Sequence, residues 1–205
     1  MRYPKLRELK EAVRSLFSRP YTTKFPKEAH IPVSAFKGAP EFHKDDCVGC
    51  GACAEVCPAA TIYVKDDLKT RMRNITLRLD SCLFCGNCQA NCITQKGIML
   101  GNKYDLATYK REESITSVDK EIIVCEHCEC VIGAKGHIRF LVKKLGVLAY
   151  GNPTLILASQ DTLRLSETNL DSKAPAVDAS GRPGMFKILC PRCRRESMLT
   201  DEYGK

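Results

Sequence analysis

The sequence predicts an α+β protein in three parts, and three features carry that prediction. A cysteine block at 47–58 occurs again at 82–93, apolar residues recur at helical spacing from Leu6 to Phe17, and two further CxxC pairs stand at 125–128 and 190–193. The expected parts are a helix and docking arm over 1–40, a first cysteine domain over 41–118 and a smaller second one over 119–205.

Only 7% of the 205 residues are aromatic and none is Trp, so one large aromatic core is not expected. Thirteen cysteines offer another means of holding the chain. The N-terminus, MRYPKLRELKEAVRSLF, scatters charges where a secretory signal would carry an apolar run. That points to a reducing cytoplasm, where cysteines serve metals more often than disulfides. No run approaches the ~18 uninterrupted apolar residues of a spanning helix. The nearest, LGVLAYGNPTLILA at 145–158, is broken by Gly151, Asn152 and Pro153, and a soluble or peripheral protein is expected.

In the first part, Leu6, Leu9, Val13, Leu16 and Phe17 place one apolar stripe on an otherwise basic helix. Residues 1–27 hold eight Lys or Arg against Glu8 and Glu11, and so carry +6 of the formal +8. Such a helix can lie on a membrane, dock a partner or pack on the protein's own core. Pro20 and Pro26 make residues 18–40 an extended arm.

The second part holds the duplicated block. CVGCGACAEVCP and CLFCGNCQANCI both read CxxCxxCxxxC. Three thiolates at every third position let one short loop wrap a face of an iron-sulfur cube, while the fourth cysteine begins a helix that points elsewhere and serves the other cube. Cys47, Cys50, Cys53 and the distant Cys92 are thereby assigned to one 4Fe-4S cluster. Cys82, Cys85, Cys88 and the distant Cys57 are assigned to a second. Gly49, Gly51 and Gly86 suit the loops, because a residue without a Cβ accepts unusual backbone angles and lets N–H groups approach sulfur. Pro58 follows the fourth cysteine of the first block; Ile93 stands there in the second. With every iron held by cysteine no position is left for substrate, so an electron relay and no catalytic residue is expected.

Between the blocks, TIYVKDDLKTRMRNITLRLD reads as two strands around a charged turn at Asp66 and Asp67. Lys65, Lys69, Arg71, Arg73 and Arg78 are expected to form a solvated face.

At residues 17–113 the chain resembles the two-cluster ferredoxin-like subunit shared by respiratory complex I, formate hydrogenlyase and related membrane-bound nickel-iron hydrogenases. The resemblance is carried by SRPYTTKFP, FKGAPEFHKDDCVGCGACAEVCPAATI, RNITLRLDSCLFCGNCQANC and YDLATYKREE. It implies a bacterial two-cluster ferredoxin fold, and a subunit that passes electrons between neighbouring subunits on the cytoplasmic face of the cell membrane. The trailing DLATYKREE and the missing second proline make it more similar to the hydrogenlyase branch than to complex I. A quinone oxidoreductase subunit of complex I type, or the iron-sulfur subunit of a soluble formate or carbonyl-oxidising dehydrogenase, is the alternative.

The third part holds VCEHC at 124–128 and LCPRC at 189–193, each read as an apolar strand running into CxxC. Two such knuckles supply four thiolates to a tetrahedral ion, as in zinc ribbons and rubredoxin-like sites. Cys125, Cys128, Cys190 and Cys193 are the expected ligands. Zinc is favoured over iron because Glu129 and Arg194 stand where rubredoxin-like loops often carry glycine. Cys130 is read as a spare thiol or a replacement for Cys128, with His127 a further candidate; His30, His43 and His137 have no ligand-spaced partner. HIRFLVKKLGVLAYG is expected to be a helix with Ile138, Leu141, Leu145 and Leu148 on one face, TLILAS a strand, and SQDTLRLSETNLDSKAPAVDASGRPG a surface loop. A part this small has a thin core, so the metal is expected to staple it.

Bound ions alter the charge. About −2 for each cluster and −2 for the zinc site reduce the formal +8 to about +2. A basic nucleic-acid binder is thereby disfavoured, and no aromatic interleaving of the kind that stacks bases is present.

Overall fold

The structure is a computed structural model that describes residues 5–160, except 21 and 23, and residues 187–203. The chain divides into two compact units, one up to Phe36 and one from Lys37 onward.

In the first unit, α1 spans Leu6–Phe17. The Glu8 carboxylate accepts the Lys5 backbone N–H at 3.1 Å, which satisfies an orphan donor and sets a negative charge at the positive end of the helix dipole. Ser18 leaves the helix in an extended conformation, with Pro20 close behind. No residue of α1 is buried, and the stripe from Leu6 (86% exposed) to Phe17 (89%) is open. Apart from short turns, the arm that follows has no regular element among the described residues.

The second unit interleaves its repeats. Strand β1 (Pro40–Phe42), helix α2 (Ala52–Glu55) and strand β2 (Ile62–Asp67) form the first; β3 (Met72–Arg78), α3 (Asn87–Ala90) and β4 (Ile98–Leu100) form the second. Each antiparallel pair takes one strand from each repeat. Pro40 faces Leu100 in β1–β4, and Ile62 faces Leu77 in β2–β3. Period-two alternation turns Ile75 and Leu77 inward from β3, where they meet Ile62, Ile98, Val118, Cys53 and Cys88 in one core.

The β2–β3 turn lies at 68–71, later than the sequence suggests. Asp66 and Asp67 still belong to the ladder, opposite Arg73 and Met72. The Asp67 carboxylate accepts from the Lys69 N–H and the Thr70 hydroxyl, both at 2.9 Å, and so fixes the reversal beyond it. Arg73 is not part of a solvated face. Its side chain is 14% exposed, donates to Asp66 at 2.7 and 2.8 Å, and reaches the Gly49 carbonyl at 3.0 Å.

Strand β5 (Ile115–Val124) lies along β3 on the side away from β2, and β6 (Val131–Ala134) continues the sheet, giving the order β2-β3-β5-β6. The boundary expected at 118/119 falls inside β5. Helix α4 (Lys135–Leu145) follows, ended by Gly146 with φ +55. Of its expected apolar face Ile138 is buried, whereas Leu145 and Leu148 are exposed.

TLILAS is not a strand; it lies in helix α5 (Pro153–Gln160). Asn152 caps it, its side-chain oxygen accepting the Thr154 N–H at 3.0 Å, and Pro153 fills the first helical position, where a missing N–H costs nothing. Pro191 likewise opens helix α6 (Pro191–Tyr203), so LCPRC is not a strand running into a knuckle but a segment entering a helix. The loop expected over 159–184 lies almost wholly outside the described residues.

The Asp66–Arg73 pair permits a signed prediction. The Arg73 guanidinium holds Asp66 below the usual carboxylate range. Its contribution is therefore complete above the unfolded value near ~3.9 and is lost only as pH falls through the lower folded value. Asp66→Asn is expected to destabilise by about 1–3 kcal/mol, with the same penalty at every pH from about 5 to 8. Denaturation followed by circular dichroism across that range measures it.

Candidate metal centres

The two cysteine loops share one backbone conformation. Gly49 and Gly51 take φ +72 and +80, and Gly51 opens α2, which carries Cys53. In the second loop Phe84 and Gly86 take φ +51 and +85, and Gly86 opens α3, which carries Cys88. Beyond the loops, Ala60 (+47) and Gln95 (+62) each stand three residues after the fourth cysteine. Left-handed angles at Phe84, Ala60 and Gln95 are strained for residues with a Cβ, yet they recur in register with the repeat. Phe84 was the one foreseeable from sequence, because superposing the blocks sets it on Gly49.

Two cavities result. Cys47, Cys50, Cys53 and Cys92 line one, with Phe42 and Ile75. Cys57, Cys82, Cys85 and Cys88 line the other, with Pro40 and Leu77. Each brings three cysteines of one block together with the fourth of the other, and Cys53 and Cys88 are buried in one core cluster.

The thiols divide by surroundings. Burial pushes Cys53 up to about 12, and the neighbouring thiols of Cys50, Cys47 and Cys88 add to it. Burial also raises Cys47, Cys82 and Cys88 against N–H donors in their own loops. For Cys57 burial acts in the same direction but is outweighed: the Thr61 hydroxyl at 3.3 Å and N–H at 3.4 Å hold it below the ordinary thiol value. Cys92 is lowered against burial in the same way, by the Thr94 hydroxyl at 3.3 Å and nearby N–H groups. The fourth cysteine of each block thus has donors aimed at the thiolate, the form that binds metal.

The first loop is also gripped from outside. A Cβ on Gly49 would lie 2.9 Å from the Cβ atoms of Ala134 and Lys120, and one on Gly136 would lie 3.2 Å from the Val48 carbonyl oxygen. Strands β5 and β6 and the start of α4 therefore press on residues 48–49. The Lys120 ammonium donates to the Lys44 carbonyl, and Arg73 to that of Gly49.

The late cysteines form a third group. The Sγ atoms of Cys125, Cys128, Cys130 and Cys190 all lie within 4.8 Å of one another. Cys193 is buried in one cluster with Cys125 and Cys190. The Cys190 N–H donates to Cys125 Sγ at 3.3 Å and the Cys193 N–H to Cys190 Sγ at 3.4 Å. Burial raises Cys125, but N–H groups of Cys128, Cys190 and His127 outweigh it and bring the thiol to about 6. Glu129 takes φ +57, in the left-handed region that favours glycine, and so swings Cys130 into the group. Its proximity to Cys128 and Cys190 pushes Cys130 up to about 12. The group thus includes Cys130, which the sequence leaves as a spare thiol or a replacement for Cys128. His127, His30 and His43 are exposed, and the half-buried His137 is lowered by burial and by Arg73.

Residues 39–96 match the 4Fe-4S dicluster domain family. Formate hydrogenlyase subunit 6 of Escherichia coli is 30% identical over 124 residues, covering 60% of this chain and 68% of that one. NADH-quinone oxidoreductase subunit I 1 of Koribacter versatilis is 30% identical over 112 residues, 50% of this chain and 72% of that one. NAD(P)H-quinone oxidoreductase subunit I of Gloeobacter violaceus is 31% identical over 100 residues, 46% of this chain. The chain spans about half the length of this last relative, 47%.

Alanine at Gly51 meets only Val64 Cγ2 at 3.5 Å and carries the left-handed strain alone, about 1–2 kcal/mol. Gly49→Ala carries that strain and a collision with β5 and β6. Thermal melts are expected to place Gly49→Ala clearly below Gly51→Ala; equal losses would show that the sheet does not press on the first loop.

Proposed function

Because the chain belongs to the family of complex subunits that includes formate hydrogenlyase subunit 6 and NADH-quinone oxidoreductase subunit I, we propose that it relays single electrons between neighbouring subunits of a membrane-associated hydrogenase complex of the formate hydrogenlyase kind. The pair of cavities carries this reading. Cys47, Cys50, Cys53 and Cys92 would hold one 4Fe-4S cluster, and Cys82, Cys85, Cys88 and Cys57 the other. The donor sets fit: four cysteines converge in each, with apolar walls and N–H or hydroxyl donors on the sulfurs. When bound, a 4Fe-4S cluster supplies a one-electron couple whose potential depends on such hydrogen bonds and on solvent exposure.

The chain's own residues do the rest. Thr61 and Thr94 stabilise the thiolates of the two exchanged ligands. Phe42 and Ile75 wall one cavity, and Pro40 and Leu77 the other. No described helix is long and apolar enough to cross a membrane, which accords with attachment to the cytoplasmic face through partner subunits or through the exposed, basic α1. Residues 1–40 would then be the docking arm, 41–118 the ferredoxin-like part, and 119–205 a zinc-ribbon-like part fused to it through β5. Cys125, Cys128, Cys190 and Cys193 would hold a zinc ion there as a closed staple.

Alanine variants test the exchange of ligands. Cys92→Ala is expected to remove the same electron paramagnetic resonance signal as Cys50→Ala, and to lower iron from about eight to about four per chain. If Cys92→Ala instead removes the signal lost in Cys85→Ala, the ligands are local to each block and the assignment fails.

A further inference from the structure

Zinc accepts four thiolates in tetrahedral array, whereas five cysteines meet in the C-terminal group. Three have settled roles in the geometry. Cys125 is buried and receives the Cys190 N–H at 3.3 Å, and the Cys128 and Cys190 sulfurs stand 3.7 Å apart. The other two approach that same pair. Cys130 is exposed and lies with Cys125, Cys128 and Cys190 inside the 4.8 Å group; Cys193 is buried in one cluster with Cys125 and Cys190. The backbone fixes both approaches. The Cys125 N–H donates to the Cys130 carbonyl at 2.9 Å, closing the turn made by Glu129, and the Cys193 N–H donates to Cys190 Sγ in the first turn of α6 at 3.4 Å.

We propose that this is a five-thiol zinc centre in which Cys125, Cys128 and Cys190 are constant ligands while Cys130 and Cys193 exchange as the fourth. The proposal rests on the reading of the group as a zinc site and changes its chemistry from a closed staple to an exchangeable one. As Cys130 binds, its thiol gives up a proton and the released Cys193 thiolate takes one, so the charge of the centre is unchanged. With Cys193 bound the site is closed on its buried side. With Cys130 bound the fourth ligand faces solvent, which provides the route by which the ion enters and leaves.

Full-length protein with its clusters intact, loaded at this site with zinc(II) or cobalt(II), tests the exchange. Cys130→Ser and Cys193→Ser are each expected to keep one zinc per chain, and the double variant to lose it; Cys125→Ser loses it alone. Cobalt(II)-thiolate absorption of the wild type should be a mixture that resolves into a single four-sulfur form in Cys130→Ser. Zinc release to a chromophoric chelator should slow several-fold in the same variant. Because Cys130 is exposed, these two measurements do not depend on whether Cys193→Ser folds. Identical cobalt spectra and release rates in wild type and Cys130→Ser would overturn the exchange while leaving a four-cysteine zinc site in place. A wild type that binds neither ion at this site would overturn the zinc reading itself.

Discussion

Each cysteine cavity is closed by a residue that belongs to the other repeat, and the same exchange runs through the strands around it. Cys92 completes the cavity of the first loop and Cys57 that of the second, as β1 pairs with β4 and β2 with β3. Neither repeat has a cavity or a ladder of its own. Ile62, Ile75, Leu77 and Ile98 fill the space between them, and the buried Cys53 and Cys88 share that core. Packing and the proposed metal ligation thus draw on the same few residues. In the proposed reading, metal-bound thiols hold a unit whose sequence is poor in aromatic residues.

The C-terminal cysteine group is built onto this arrangement rather than tethered to it. Strand β5 extends the sheet from β3, then delivers Cys125 at its end, while β6 and the start of α4 fold back over residues 48–49 of the first loop. Arg73 grips the same loop from the sheet: held by Asp66, it donates to the Gly49 carbonyl. The second loop receives the longer 3.4 Å contact of the exposed Lys37 with the Cys85 carbonyl. The two proposed clusters would therefore sit in unlike fields despite their matched loops.

Spacing made the cysteine blocks legible, because CxxCxxCxxxC prescribes both the loop and the escape of its fourth residue. Helix α1 was legible for a similar reason, its period of apolar residues being undisturbed up to Ser18. Local capping chemistry defeated the pattern elsewhere. The run TLILAS looks strand-like by composition, yet Asn152 and Pro153 make it the start of a helix. Arg73 looked like one basic residue among five, since its partner Asp66 is fixed only by the register of β2 on β3. CxxC pairing accounts for four late cysteines so well that Cys130 reads as spare; only the left-handed turn at Glu129 shows that its sulfur approaches the others.

Anomalous diffraction from anaerobically grown crystals, recorded at the iron and zinc absorption edges, tests the central claim most directly. The account predicts two iron centres, one bonded by Cys92 together with Cys47, Cys50 and Cys53, the other by Cys57 together with Cys82, Cys85 and Cys88. It also predicts a zinc peak bonded by Cys125, Cys128 and Cys190. An iron centre bonded by Cys47, Cys50, Cys53 and Cys57, with Cys92 turned to the other loop, would contradict it.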